Sequence, residues 1–395
     1  MIKRKKKNKE HNPFYDPTLK KRHLCAKRFK KFTLTSLIFS VAFLAFFLFD
    51  MIGKGIPAFN IAYVKVDVTF NEKTLEDTRF AVPTEYRNLV SRAALRDLPK
   101  LLEENPTYMN STQNIWILAS SQVDQYIKNH NHNLKNKDIA KVDELYAQGL
   151  IDKKFNAIFF ENGDSKIPEY AGIFSAVIGS ILTLIITMAV AFPIGVMTAI
   201  YLEEFAGDNK FTRFIEININ NLAAIPSILF GLLGLAIFIN LFGMPRSSPL
   251  VGGLTLALMT LPIIIVSSRA ALRAVPDSIR QAGYGLGLNK IQVTRDHVLP
   301  LAFPGIMTGS IIGLAQAMGE TAPLIIIGMI AFIPDAPSMV TQAATVMPAQ
   351  LFTWAGMPEG MYIEKTAAGI LVLLTILISL NAIAIFLRKK FEVKW

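Results

Sequence analysis

One carboxylate stands alone within a long apolar stretch of this chain: Glu320, flanked by Gly319, Thr321 and Pro323. A carboxylate accepts protons and hydrogen bonds, and it repels a bare anion. In the middle of a membrane helix a charge costs roughly 2.5–3.5 kcal/mol on insertion scales, so Glu320 must face protein or a water-filled path. Lining or gating such a path is its functional reading. Gly319 permits close backbone approach, Thr321 offers a hydroxyl donor and Pro323 interrupts a helix, which together would expose backbone groups to a passing solute. The same three residues suit close helix packing through small side chains. In that case a neighbouring helix end, or an arginine of another subunit, would satisfy the carboxylate.

The second chemical signal is a polar segment over residues 275–300, VPDSIRQAGYGLGLNKIQVTRDHVLP, set between two apolar runs. Pro276 suits a first helical position, Asp277 suits the positive end of the helix dipole, and Gly287 can take the left-handed conformation that stops a helix. Asn289 can then cap a second short helix running to about Leu299. In the first helix Ile279, Ala282 and Leu286 recur at helical spacing, with Arg280 and Gln281 on the other side. Such a helix, with Ala282 and Gly283 on its surface, fits a groove of a cytoplasmic partner.

Other candidate chemistry is thin. His130 and His132 flank Asn131 in a polar stretch without cysteines or carboxylates at ligand spacing, a pattern of solvated rather than metal-bound histidines. No phosphate-cradling GxxxxGK[ST] sequence occurs, so ATP hydrolysis would belong to a partner. The one cysteine, Cys25, lies in a basic tail and is expected to be reduced.

These residues need membrane elements to hold them. Hydrophobic residues make up 52% of the chain and charged residues only 18%, gathered into tails and loops. Six runs reach the ~20 residues that a spanning helix needs: Leu34 to Ile52, Ala171 to Tyr201, Leu222 to Phe242, Leu250 to Val266, Gly305 to Phe332, and Ala367 to Leu387. The first follows a long basic region and has no small-residue cleavage site, which favours an uncleaved helix over a signal peptide. Pro193, Pro226 and Pro262 within the spans are tolerable where neighbouring helices satisfy the freed carbonyls. Basic residues at Lys3 to Lys7, Lys27 to Lys31, Arg388 to Lys390 and Lys394 put both termini in the cytoplasm, together with the loop carrying Arg269, Arg273, Arg280, Lys290 and Arg295. Much of the net charge of +11 sits in the N-terminal tail, where it meets anionic lipid; without interleaved aromatics or a folded motif it does not indicate nucleic-acid binding.

Residues 53–170 are polar and long enough to form a domain. Val64, Val66, Val68 and Phe70 alternate along a strand from Tyr63 to Phe70. Helices are expected at Tyr86 to Glu104 and Asp138 to Ala147, and further strands at Ile115 to Ala119 and Ala157 to Phe160. The expectation is a small extracytoplasmic α+β insert, serving either to bind a partner or as a spacer.

QAGYGLG at 281–287, followed by Leu299 and Pro300, resembles the cytoplasmic coupling loop of ABC importer permeases. Gln281 stands where that loop has glutamate, Gly283 where it has its second alanine, and His297 at its aliphatic position. GETAPL at 319–324 and YLEEFA at 201–206 are similar to the phosphate-specific, PstA-type permeases of this group. The resemblance covers roughly Tyr170 to the C-terminus. Taken with the six apolar runs and the polar stretch after the first of them, it implies an all-α polytopic inner-membrane protein of ABC importer permease type, with six transmembrane helices and an insert between the first two. The organisation is a basic tail over 1–33, the first helix over 34–52, the insert over 53–170, and a permease core over 171–395 with its coupling loop at 276–300. ATPase coupling then falls to Arg280, Gln281, Ala282, Gly283, Gly287, Leu299 and Pro300, and the substrate path to Gly319, Glu320, Thr321 and Pro323. Implied partners are a homologous PstC-type permease, a PstB-type ATPase dimer that binds the ATP, and a periplasmic PstS-type phosphate-binding protein. No cofactor or metal is implied in this chain. Hydrogen phosphate carries a proton that an ionised carboxylate can accept, whereas sulfate carries none near neutral pH. Importers of sulfate or molybdate are the alternatives within the group; a secondary transporter or a membrane-anchored sensor would lie outside it.

Overall fold

The computed structural model describes residues 18–330 and 332–390. The basic residues Lys3 to Lys7 and Lys394, and Ala331 of the expected fifth span, lie outside the described residues. The chain divides into two units, residues 1–53 and 54–395. In the first unit a single helix, Leu19–Gly55, starts well before the expected Leu34. The preceding lysines, arginines and leucines are good helix formers and carry the helix backwards without a break.

The second unit opens with three antiparallel strands, β1 (Asn60–Thr69), β2 (Thr112–Leu118) and β3 (Ile151–Phe155), ordered β2-β1-β3. Val66 lies opposite Ile115, and Val64 lies opposite both Ile117 and Ile151. Val64, Val66, Val68 and Phe70 are buried as the alternation predicts, under Leu95, Leu98, Val123, Val142 and Leu145. One face of the sheet thus carries the core of the insert.

Two expectations for the insert fail. The apolar run at Ala157 to Phe160 is a helix, Ala157–Glu161, because Asn156 caps it by accepting the Phe159 N–H at 3.2 Å; the third strand is the preceding Ile151–Phe155. The helix expected from Tyr86 to Glu104 is broken. Val90 bridges to Ala119, and only Arg92–Arg96 and Leu98–Glu104 are helical.

Four helices of the second unit are long and apolar enough to cross a membrane: Phe174–Phe205, Pro249–Arg273, Lys290–Gly319 and Gly360–Lys390. With the first unit's helix they make five among the described residues, or six if one bent pair counts as a single span. The bent pair corrects the third expected span. Lys210–Ala223 and Ser227–Leu241 meet at 103° around Pro226, which ends one helix and starts the next instead of lying inside a span. Pro193 and Pro262 do lie inside helices. The fifth span is also corrected: its helix ends at Gly319, and only a short helix, Ala322–Ile326, follows before Met347–Ala355.

Small residues set the packing. A Cβ on Gly253 would meet the Cβ of Ile186 at 2.6 Å, and Thr187 Oγ1 donates to the Gly253 carbonyl at 3.2 Å, so Pro249–Arg273 and Phe174–Phe205 lie backbone to backbone. At the other end Ala58, Phe159, Ala171, Ile173, Trp354 and Tyr362 form one cluster that joins the insert to the spans.

Candidate functional site

The polar segment over residues 275–300 is built by local rules. Helix Asp277–Gly285 follows Pro276 and has Asp277 in its first turn. It ends on Gly287 at φ +81°, with the Leu288 N–H donating to the Gly283 carbonyl at 3.2 Å and the Gly287 N–H to that of Tyr284 at 2.9 Å. That is a Schellman stop, which favours glycine at its left-handed position. Asn289 and Gln292 then form a reciprocal capping box. The helix that follows does not stop at Leu299. It runs unbroken over Lys290–Gly319, passing through a wide turn at Thr294–Val298. Pro300 lacks the N–H that would close an ordinary turn there, and the wider turn accommodates the loss.

On this scaffold the candidate residues separate. Ala282 and Leu286 are exposed; with Ile279, Asp296, His297 and Pro300 they line a largely apolar groove of about 320 Å³. Gln281 is exposed and Leu299 half-buried. Gly283, expected on the surface, is buried: a Cβ there would meet Val293 Cγ2 at 2.8 Å. Arg280 is likewise not part of the exposed face. It turns inward, where its guanidinium meets Glu204 at 2.6 Å and donates to the carbonyls of Val275 at 2.7 Å and Leu272 at 3.0 Å.

Glu204 belongs to a group of ion pairs that ties the end of the second span to its neighbouring helices. The YLEEFA carboxylates sit on a wide turn, Tyr201–Phe205, at the end of the second span. Glu203 pairs with Arg269 at 3.3 Å and Arg273 at 2.8 Å, while Arg269 also reaches Glu216 at 2.5 Å. Consecutive glutamates ending one apolar run, and arginines four apart ending another, were the available signal.

Glu320 lies at a helix end rather than in the middle of a helical span. Pro323 has no N–H to donate back to Gly319, and its ring would crowd that carbonyl, so the helix stops. Glu320 is extended at φ −77°, ψ 124°, and Ala322–Ile326 restarts the helix. Its half-buried carboxylate has no hydrogen-bond or ion-pair partner among the described residues. Gly319 is exposed and Thr321 half-buried beside it, whereas Pro323 is buried. A Cβ on Gly231 would meet Pro323 Cα at 2.7 Å, so the half-helix after Pro226 rests on this break. Gly319, Glu320 and Thr321 are therefore together, Pro323 packs behind them, and the segment with Ala282, Leu286 and Pro300 lies toward the opposite end of Lys290–Gly319, about 30 Å from Gly319 to Pro300 at 1.5 Å per residue.

Where the insert joins the last span, the structure buries charges that no local pattern connects. Lys365 donates to the carbonyls of Pro168 and Ala171, each at 2.6 Å. Glu364 accepts from Gln125 at 2.7 Å and Lys128 at 3.1 Å, and contacts His130. His132 instead stands edge-on to Tyr126. Trp354 donates its indole N–H to Asp164 at 2.8 Å, yet burial pushes that carboxyl up to about 6.

Residues 191–393, just over half of the chain, match the family described as binding-protein-dependent transport system inner membrane component. Residues 16–85 and 76–136 match a domain of unknown function. The chain is 36% identical over 160 residues to the phosphate transport system permease protein PstA of Mycobacterium leprae, covering 40% of this chain and 52% of that one. It is 33% identical over 168 residues to the probable ABC transporter permease protein YqgI of Bacillus subtilis, covering 42% and 56%. To the PstA protein of Yersinia pestis it is 31% identical over 245 residues, covering 61% and 81%. The chain thus spans about half the length of the first two relatives.

Proposed function

The chain belongs to the binding-protein-dependent transport system inner membrane components, the permeases of ABC importers, and we propose that it is the PstA-type subunit of an ATP-driven importer of inorganic phosphate. In this reading both termini are cytoplasmic and the insert is outside. A PstC-type permease completes the path, a PstB-type ATPase dimer binds and hydrolyses ATP, and a PstS-type binding protein delivers phosphate.

The observation that carries the proposal is the single helix Lys290–Gly319, which begins at the coupling segment and ends at Glu320. The ATPase would seat on the exposed Ala282 and Leu286 side of helix Asp277–Gly285. Arg280 would hold that helix to the second span through Glu204, and Gly287 would fix the turn into the long helix. A displacement at the groove then moves the break at Gly319 and Glu320. There the carboxylate would accept a hydrogen bond from the P–O–H of hydrogen phosphate, a donor that sulfate lacks, which supports phosphate over sulfate as the cargo.

Uptake into vesicles holding the complete complex tests the reading. ATP-dependent phosphate uptake should resist competition by sulfate and molybdate. Preferential uptake of either competitor would replace the cargo, and no ATP-dependent uptake of any of the three would remove the importer reading.

A further inference from the structure

The insert carries two adjoining cavities, of about 670 and 610 Å³, that share Arg87, Asn88, Arg92 and Arg96. Lys135 and Lys166 also line the larger one. Its carboxylates are Asp138 and Glu169, and Glu169 is occupied by the Ser121 N–H at 2.6 Å. Arg79 and Asp77, in the smaller cavity, neutralise one another at 2.6 Å. Cations therefore exceed carboxylates. Arg92 and Arg96 are exposed and have no ion-pair partner among the described residues. They stand four apart on one helix, where like charges repel unless an anion lies between them.

Ser91 supplies an independent sign of a ligand. It immediately precedes helix Arg92–Arg96 and lines the larger cavity, yet its hydroxyl makes no capping bond. The residue is 1% exposed and its Oγ has no hydrogen-bond partner. A serine so placed normally caps its helix, and a buried hydroxyl without a partner is costly.

We propose that this basin on the insert is a binding site for a phosphate-type oxyanion, gripped by Arg92 and Arg96 with Arg87, Lys135 and the Ser91 hydroxyl around it. Guanidinium forks match the paired oxygens of a tetrahedral oxyanion, and the hydroxyl adds a donor. The lining stretch from Lys166 to Glu169 is fastened to the last span because Lys365 binds the Pro168 and Ala171 carbonyls. The site deepens the phosphate reading, on which its place in transport rests, by giving the cargo a station before the membrane.

The test uses the purified full-length chain in nanodiscs of zwitterionic lipid, titrated with inorganic phosphate and read by calorimetry and by hydrogen exchange over residues 87–96. Phosphate should protect these amides. The Arg92→Gln/Arg96→Gln variant, altered only at exposed side chains, should bind roughly tenfold or more weakly with an unchanged Tm. No protection by either millimolar phosphate or phosphatidylglycerol, or wild-type affinity in the variant, would overturn the site. Protection by phosphatidylglycerol nanodiscs without added phosphate would keep the site and assign the oxyanion to a lipid headgroup. Binding here without phosphate uptake by the complete complex would defeat the importer reading alone, and uptake without binding would defeat this site alone.

Discussion

The guanidinium of Arg280 and the carboxylate of Glu204 meet at 2.6 Å, with side-chain exposures of 15% and 5%, and so fasten helix Asp277–Gly285 to the end of the second span. Two backbone carbonyls, of Val275 and Leu272, take further N–H groups of the same arginine. A charge pair removed from water this far depends on both partners, and loss of one costs about 3–5 kcal/mol.

Arg280→Ala should therefore leave the membrane helices inserted but loosen the coupling helix. Binding-protein-stimulated ATP hydrolysis by the assembled complex should fall severalfold or more, and the exchanged pair Arg280→Glu/Glu204→Arg should recover part of it. Wild-type stimulated hydrolysis in Arg280→Ala would show that the pair does not transmit movement.

Gly287→Val should strain a φ of +81°, at a cost of about 1–2 kcal/mol, although nothing lies within 4 Å of the added Cβ. Ala282→Trp should fill the exposed groove and block a partner's approach. Both variants should reach the membrane normally yet lose stimulated hydrolysis or shed the ATPase during purification. Full activity with the ATPase attached in both would mean that the coupling element lies elsewhere.

Glu320→Gln keeps the shape of the side chain and removes the ionised acceptor. Since no partner within the described chain depends on that charge, assembly should be unaffected. Phosphate uptake should drop and discrimination against sulfate should weaken. Uptake and selectivity equal to wild type would reduce Glu320 to a structural residue.

Asp164 predicts a pH dependence of stability. Its carboxyl titrates at about 6 when folded, against about 4 in an unfolded chain, because burial disfavours the charge. The folded protein binds this proton more tightly. The group's contribution is thus fully present below about pH 4 and is lost as pH rises through about 6, by at most roughly 3 kcal/mol. Asp164→Asn keeps an oxygen for the Trp354 indole and cannot ionise. Melting curves of the two proteins should converge near pH 4 and separate above pH 6, with the variant the more stable; parallel Tm profiles would refute the assignment.

Single cysteines at Lys137 and Asp208, both exposed, test the orientation in a Cys25→Ser background. In intact spheroplasts a membrane-impermeant thiol reagent should label position 137 and spare 208. The reverse pattern would invert the topology.

What the sequence determined by itself is what adjacent residues decide. Gly287 stops a helix and Asn289 starts the next because a left-handed turn and a cap are made by neighbours in the chain. Val64, Val66 and Val68 share a face because a strand alternates. The helix at Ala157–Glu161 was legible in the same way, from the cap at Asn156, but a short apolar run suits a strand equally well by periodicity alone. Tertiary structure decided which distant charges meet. Glu204 and Arg280 are 76 positions apart, and Lys365 binds carbonyls nearly 200 positions away. No local pattern selects such partners, because any buried carboxylate or carbonyl would satisfy the cation; only the packing of the spans brings one within reach. For the same reason Arg280, which the resemblance placed among the coupling residues, meets Glu204 at the end of the second span, and Glu320 comes to stand at a break rather than inside a helix.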